Sequence, residues 1–326
     1  MPVCRPNDSD GFPAIRVPAL GVRALSAACV LITLLATAGC DELAGSAGDL
    51  DAIWGRRGIS DGRFQKPRAM AIDAADHIYV VDKTARIQVF DSEGNFLRGW
   101  RTPEWENGMS SGLSINRRGR LLVADTHYYR VLIYSPDGTL EQTLGGTLGN
   151  QPGEFGLVTD VVEDSQGNLY VGEYGEYDRI QKFSPAGEFI LQWGGHGSEP
   201  GQFRRPQNMI IDAQDRIWVA DSCNHRIQVF DTAGNLLQIW GTQGRQPGQL
   251  RYPYDLALDA EGNLLVCEFG NDRVQKFTPD GQSLGCWGRS GHKEGELFQP
   301  WALVIDSQGR IHVLDTNNHR IQRIVM

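Results

Sequence analysis

Apolar and polar residues alternate along this chain in short runs, and one run keeps returning. Variants of R-I-Q-V-F begin at Arg86, Arg130, Arg179, Arg226, Arg273 and Arg320, spaced 44, 49, 47, 47 and 47 residues apart. Four to six residues before each arginine stands an acid: Asp82, Asp125, Glu173, Asp221, Glu268 and Asp315. Period-two alternation rich in β-branched and aromatic residues predicts strands, and clusters of Gly, Asp and Asn predict the turns between them. Within one unit the predicted strands read PQNMIIDA, RIWVAD, RIQVFD and NLLQIWG, joined by D-x-x-G turns of the hairpin kind rather than calcium loops. Four antiparallel strands at a period near 47 residues predict a propeller blade.

The strand count predicts how the ring closes. Trp54, Trp100, Leu144, Trp193, Trp240 and Trp287 mark six outer strands. The first of these, LDAIWG, precedes every arginine segment, and the last arginine segment has no outer strand after it. Each orphan completes the other if LDAIWG becomes the outer strand of the blade begun by WALVIDS. The expectation is an all-β, six-bladed β-propeller over residues 50–326, latched by its N-terminal strand, which leaves no open sheet edge at the join.

Residues 1–39 read differently. Arg5, Arg16 and Arg23 precede the apolar run ALSAACVLITLLATA, which is too short to span a bilayer and has the layout of a signal peptide. Two cuts fit. TAGC resembles a bacterial lipoprotein box, with Cys40 as the lipidated N-terminus, while ATA at Ala36–Ala38 fits an ordinary cleavage. The chain is therefore expected to be exported, either as a membrane-anchored lipoprotein facing the periplasm or cell surface, or as a soluble periplasmic or secreted protein. Residues 40–49 form a short linker. Without residues 1–39 the chain carries 28 basic and 38 acidic residues, a net charge of −10, which argues against a nucleic-acid partner. The cysteines beyond Cys40, namely Cys223, Cys267 and Cys286, have the spacing of neither a disulfide framework nor a zinc site.

The stretch Gly201–Gly241, GQFRRPQNMIIDAQDRIWVADSCNHRIQVFDTAGNLLQIWG, resembles the NHL repeat, and DTNNHRIQRI repeats its signature. The resemblance implies a six-bladed NHL propeller like those of bacterial sensor-kinase ectodomains, animal RING–B-box–NHL proteins and a peptide-amidating lyase. It implies no single activity. No RING accompanies the repeats. Where the lyase places a zinc-binding histidine, just after the proline of the inner strand, this chain has Arg68, Gln207, Tyr254 and Trp301, so that activity does not carry over. His225 and His319 belong to the NHR signature and read as structural loop residues. The acid–arginine pairs read as architecture, and Phe64, Phe155, Phe203, Leu250 and Leu297 of the recurrent G-x-F-x-x-P element read as plugs between blades.

Function should sit where the repeats differ. Thirteen residues before each repeated acid stand Ala69, Gly112, Asp160, Asn208, Asp255 and Ala302. Asp160, Asn208 and Asp255 occupy consecutive blades at the start of the innermost strand, so their oxygens converge on one mouth of the channel, near Glu173, Asp221 and Glu268. Such a set suits Ca²⁺ and is similar to the channel metal sites of gluconolactonase-like propellers; the simpler reading is a hydrated polar channel mouth. The same mouth gathers the aromatics Tyr128, Tyr129, Tyr174, Tyr177 and Phe269. The first functional reading is a monomeric, non-catalytic binding or scaffold propeller for a protein, peptide or glycan. The alternative is a metal-dependent extracytoplasmic hydrolase or lyase.

Overall fold

The computed structural model describes residues 47–326; the expected export signal, its cleavage site and Cys40 lie outside the described residues. Six four-stranded antiparallel sheets stand around a central axis. Strands a to d run from the axis outwards in each blade. Blade I covers residues 69–101, blade II 112–145, blade III 157–194, blade IV 206–240 and blade V 253–287. Blade VI takes its inner three strands from residues 302–325 and its outer strand from Asp49–Trp54. The inner strands of successive blades touch all the way round, and the last meets the first.

The latch forms as the strand count predicts. Asp49 pairs with Val325, Leu50 with Ile324 and Trp54 with Ile321, antiparallel, with a bulge between Leu50 and Ala52. The Trp54 ring lies 4.9 Å from Phe90 and 6.1 Å from Phe64, so the strand closes blade VI and also packs against blade I.

Side-chain alternation places the core between blades. Inner-strand and middle-strand apolar residues such as Ile78, Val80, Leu121, Val219 and Val266 are buried against the neighbouring sheet. Phe64, Phe155, Phe203, Leu250 and Leu297 are fully buried plugs. Each plug segment is held by the glutamine two residues after the repeated arginine, whose Oε1 accepts from the glycine of the G-x-F element: Gln88 from Gly62 at 3.0 Å, Gln228 from Gly201 at 2.9 Å, Gln322 from Gly295 at 2.9 Å. Blade II has Leu132 in place of that glutamine, and residues 102–111, which lead into it, carry no plug. Sequence and structure agree that the seam between blades I and II is built differently.

Cysteine spacing misleads in one respect. Cys267 is the free thiol among the described residues and is fully buried, but Cys223 and Cys286 are disulfide-bonded.

Candidate functional site

All six repeated acids pair with their arginines, at 2.8 Å for Asp82–Arg86, Asp125–Arg130 and Asp315–Arg320, 2.7 Å for Asp221–Arg226 and 2.6 Å for Glu173–Arg179 and Glu268–Arg273. Five of the carboxylates, all but Asp125, also accept a backbone amide of the preceding plug segment, as Asp221 does from Arg204 at 2.8 Å. Glu173, Asp221 and Glu268 are fully buried in these pairs and do not line the channel. They were expected beside Asp160, Asn208 and Asp255. Strand alternation sends them to the opposite side of the sheet, because Asp160 pairs with Gly172 and the next residue, Glu173, points the other way.

A second layer of bonds joins successive blades at the loops between strands b and c. Asp178 accepts from the Arg205 amide at 3.0 Å, His225 Nδ1 from Tyr252 at 3.1 Å, Asp272 from Gln299 at 2.6 Å and His319 Nδ1 from Lys66 at 3.0 Å. Both histidines act as neutral acceptors. Burial and the charges of Arg251 and Arg204 push the His225 imidazole down to about 4, which favours that form. The loop histidines are structural, as their place in the repeat implies.

At the same end of the channel, arginines and aromatic rings interleave. The Arg205 guanidinium lies 4.8 Å from the Tyr174 ring and 5.4 Å from that of Tyr254, and its Nε donates to Gln207 at 2.8 Å. Tyr254 stacks on Phe269 at 4.3 Å and meets Trp301 edge-on at 4.9 Å, and Arg68 sits 4.7 Å from the Trp301 ring. These contacts run from blade III through blades IV, V and VI to blade I. Burial, and after it the charge of Arg205, depresses Arg68. Bulges put some of these side chains there. In blades IV and V the register between strands a and b slips around Gln207 and Tyr254, which re-aims both into the mouth.

Beneath this layer, Asp160, Asn208 and Asp255 line the channel. Each reaches the backbone of the next blade: Asp160 accepts from Met209 N–H at 2.9 Å, Asn208 from Leu256 at 3.1 Å and Asp255 from Leu303 at 2.7 Å. Asn208 also donates to Asp160 Oδ2 at 2.9 Å. Asp160 Oδ1 is buried without a hydrogen-bond partner. Burial raises the Asp160 carboxyl to about 7, and the amides of Met209 and Val161 offset only part of that. Asp255 is lifted well above the carboxylate range by burial, to which the charge of Asp160 adds. No group of three or more His, Cys, Asp or Glu residues suited to a metal occurs among the described residues.

The repeat family is decided by comparison. The NHL repeat model matches residues 203–230 and 299–324, in blades IV and VI of this ring. The chain is an NHL-repeat propeller. It is 30% identical over 174 residues to NHL repeat-containing protein 3 of Mus musculus, covering 48% of this chain and 49% of that protein. It is 31% identical over 187 residues to peptidylglycine alpha-amidating monooxygenase of Rattus norvegicus, covering 54% of this chain and 18% of that one. The NHL propeller thus spans about half the length of the first relative and less than a fifth of the second. A solved structure provisionally assigned as a gluconolactonase superposes with a TM-score of 0.60 at 17% identity, over 83% of this chain and 92% of that chain, a likeness of fold alone.

Of the aromatics expected at the mouth of this NHL propeller, the structure gathers Tyr174 and Phe269. Tyr177 stands aside with the Arg179 guanidinium 4.9 Å from its ring, and Tyr128 carries Arg130 at 4.9 Å and accepts from Asn107 N–H at 3.1 Å. Tyr129 takes a left-handed backbone conformation at the end of its turn and packs into the core between blades II and III. Arg68, Gln207, Tyr254 and Trp301 were conspicuous in the sequence only for not being histidines. Arg205 went unnoticed, and its signal was available: a charged residue directly before the inner-strand proline of its own repeat.

Proposed function

We propose that this propeller is a binding module that takes a protein or peptide partner at the arginine–aromatic mouth, through an acidic group placed beside an apolar one. The observation that carries this reading is that two guanidiniums of the mouth lie over aromatic faces, Arg205 over Tyr174 and Tyr254 and Arg68 over Trp301; no acidic residue pairs with Arg205 among the described residues. Stacked arginines present their donors in a fixed fork that matches a carboxylate. Selection from a displayed random-peptide library tests it. The wild type is expected to enrich peptides with Asp, Glu or a free C-terminus next to an aromatic residue, and Arg205→Gln is expected to lose that enrichment at least tenfold. Equal enrichment by both proteins removes the mouth from consideration.

A metal-dependent hydrolase or lyase is the second reading, supported by the unpartnered Asp160 Oδ1 in the channel. Calcium at Asp160, Asn208 and Asp255 would stabilise the native state by roughly 2.7 kcal/mol at a hundredfold excess over its dissociation constant. Identical unfolding midpoints in calcium and in chelator discard it. Export is part of the same proposal: Cys40→Ala is expected to move the protein from the membrane fraction to the soluble one. A wild type that is already soluble and begins at Gly39 points instead to ordinary signal cleavage.

A further inference from the structure

The blades repeat their bonds so closely that one seam shows what another lacks. At the end of the ring opposite the mouth, the seam between blades VI and I is bridged twice: Ser307 N–H donates to Asp76 at 2.9 Å, and Arg323 donates to the Ser92 carbonyl at 2.7 Å. Two further side chains complete it. Arg310 donates from Nε to Asp306 at 2.7 Å and from Nη1 to Glu93 at 2.9 Å, and Glu93 also meets Arg323 at 2.9 Å. The seam between blades III and IV has the same frame, with Ser165 N–H on Asp215 at 2.9 Å and Lys182 on the Thr232 carbonyl at 3.0 Å. There Asn168 stands in the place of Arg310 and Ala233 in the place of Glu93. Asn168 keeps the bond to its own aspartate, Asp164, at 2.8 Å, but neither residue can supply the outer guanidinium nitrogens or the carboxylate. A cavity of about 220 Å³ lies at this seam, and every residue lining it is polar or charged.

Both signs of charge line that cavity. Burial raises the Tyr170 hydroxyl and the charges of Asp164, Asp215 and Asp231 all add to the rise, so the three carboxylates stand around one point. Asp164 is occupied by Gln166, Asn168 and Tyr170. Oδ2 of Asp215 accepts only from Ser165, and Oδ2 of Asp231 only from Asn235, so each has room for another donor. The cations keep donors too. Lys182 stays 3.9 Å from Asp164, whereas its equivalent in blade V, Lys276, closes to 2.8 Å on Asp259. Arg216 gives Nε to Asp212 at 2.7 Å and has its terminal nitrogens left to donate. A simple anion would meet three carboxylates here, and a simple cation would meet Lys182 and Arg216. A ligand with both charges in contact restores what Arg310 and Glu93 supply at the complete seam, and an α-amino acid carries both on a single carbon. We propose that the cavity between blades III and IV is a binding site for a small zwitterionic amino acid, its carboxylate on Lys182 and Arg216 and its ammonium beside Asp215 and Asp231.

Isothermal titration calorimetry of the full chain with L-alanine, propanoate and ethylamine tests the site, since the last two each lack one of alanine's charges. Alanine is expected to bind saturably with one site per chain, at least tenfold tighter than either analogue. Lys182→Gln is expected to weaken alanine at least tenfold. Asn168→Arg combined with Ala233→Glu, which rebuilds the contents of the complete seam, is expected to abolish the binding. The proposal is overturned if alanine does not saturate, if propanoate or ethylamine binds as tightly, or if either variant, folded, keeps the wild-type affinity. Should neither variant fold, the comparison of the three probes on the wild type decides alone.

Discussion

Asp160 gives one oxygen to the Met209 amide and keeps the other buried, and its response to pH follows from that burial. With its carboxyl near 7 in the folded ring against an ordinary value of 3.8, the native state holds a proton that the unfolded chain releases. Stability from this residue is therefore complete below about pH 4 and is lost as the pH climbs through 7, by on the order of 4 kcal/mol for a shift of this size. His225 works in the other direction. Its folded value near 4 lies below the ordinary 6.5, so its contribution is present above that range and is lost as the pH falls from 6.5 towards 4. The two slopes overlap and partly cancel in the wild type. Thermal unfolding between pH 4.5 and 8 should separate them: Asp160→Asn is expected to lose less stability than the wild type on alkalinisation, and His225→Asn less on acidification. A wild-type-like profile in both variants contradicts these assignments.

Between blades, one task is done by different residues. The position that accepts the next blade's amide is Asp178, His225, Asp272 or His319, and Ala85 and Tyr129 stand there in blades I and II. What matters is an acceptor at that height, so His319→Asp should keep the bond to Lys66, while His319→Ala should lower stability by about 1 kcal/mol in denaturant unfolding. Equal losses in the two variants would show that the imidazole contributes by packing instead. Much of this level was legible in the sequence, because a bond repeated in many blades leaves the same letter at the same spacing. The acid–arginine pairs and the plugs at Phe64, Phe155 and Phe203 announced themselves in that way. The mouth did not. Arg68, Tyr254 and Trp301 share a column but no residue type, Arg205 stands outside it, and the bulges that aim Gln207 and Tyr254 depend on pairing geometry that no local pattern encodes. The channel column was visible as a departure from the repeat, but its bonds to Met209, Leu256 and Leu303 were not, since a side chain that reaches a neighbouring blade's backbone leaves no partner letter.

For the ring as a whole, closure rests on a strand drawn from the opposite end of the chain. Trp54→Ala should cost roughly 3–5 kcal/mol, the usual range for removing a buried large aromatic, and should shift a single cooperative melting transition rather than melt one blade. A separate early transition would mean that blade VI unfolds alone. The seam between blades I and II lies elsewhere. It has no aromatic plug, no loop acceptor and no bond from the channel column, because Ala69 and Ala85 occupy those places. The ring therefore has its chain ends in one blade and its most lightly bonded joint two blades along. Topologically nothing requires those two to differ. A permuted gene that joins residue 326 to residue 47 through a short linker and starts within 103–110 would move the chain break to the light joint and make blade VI continuous. Such a protein should keep all six blades and melt no lower than the parent, even though every residue has been given a new address along the chain.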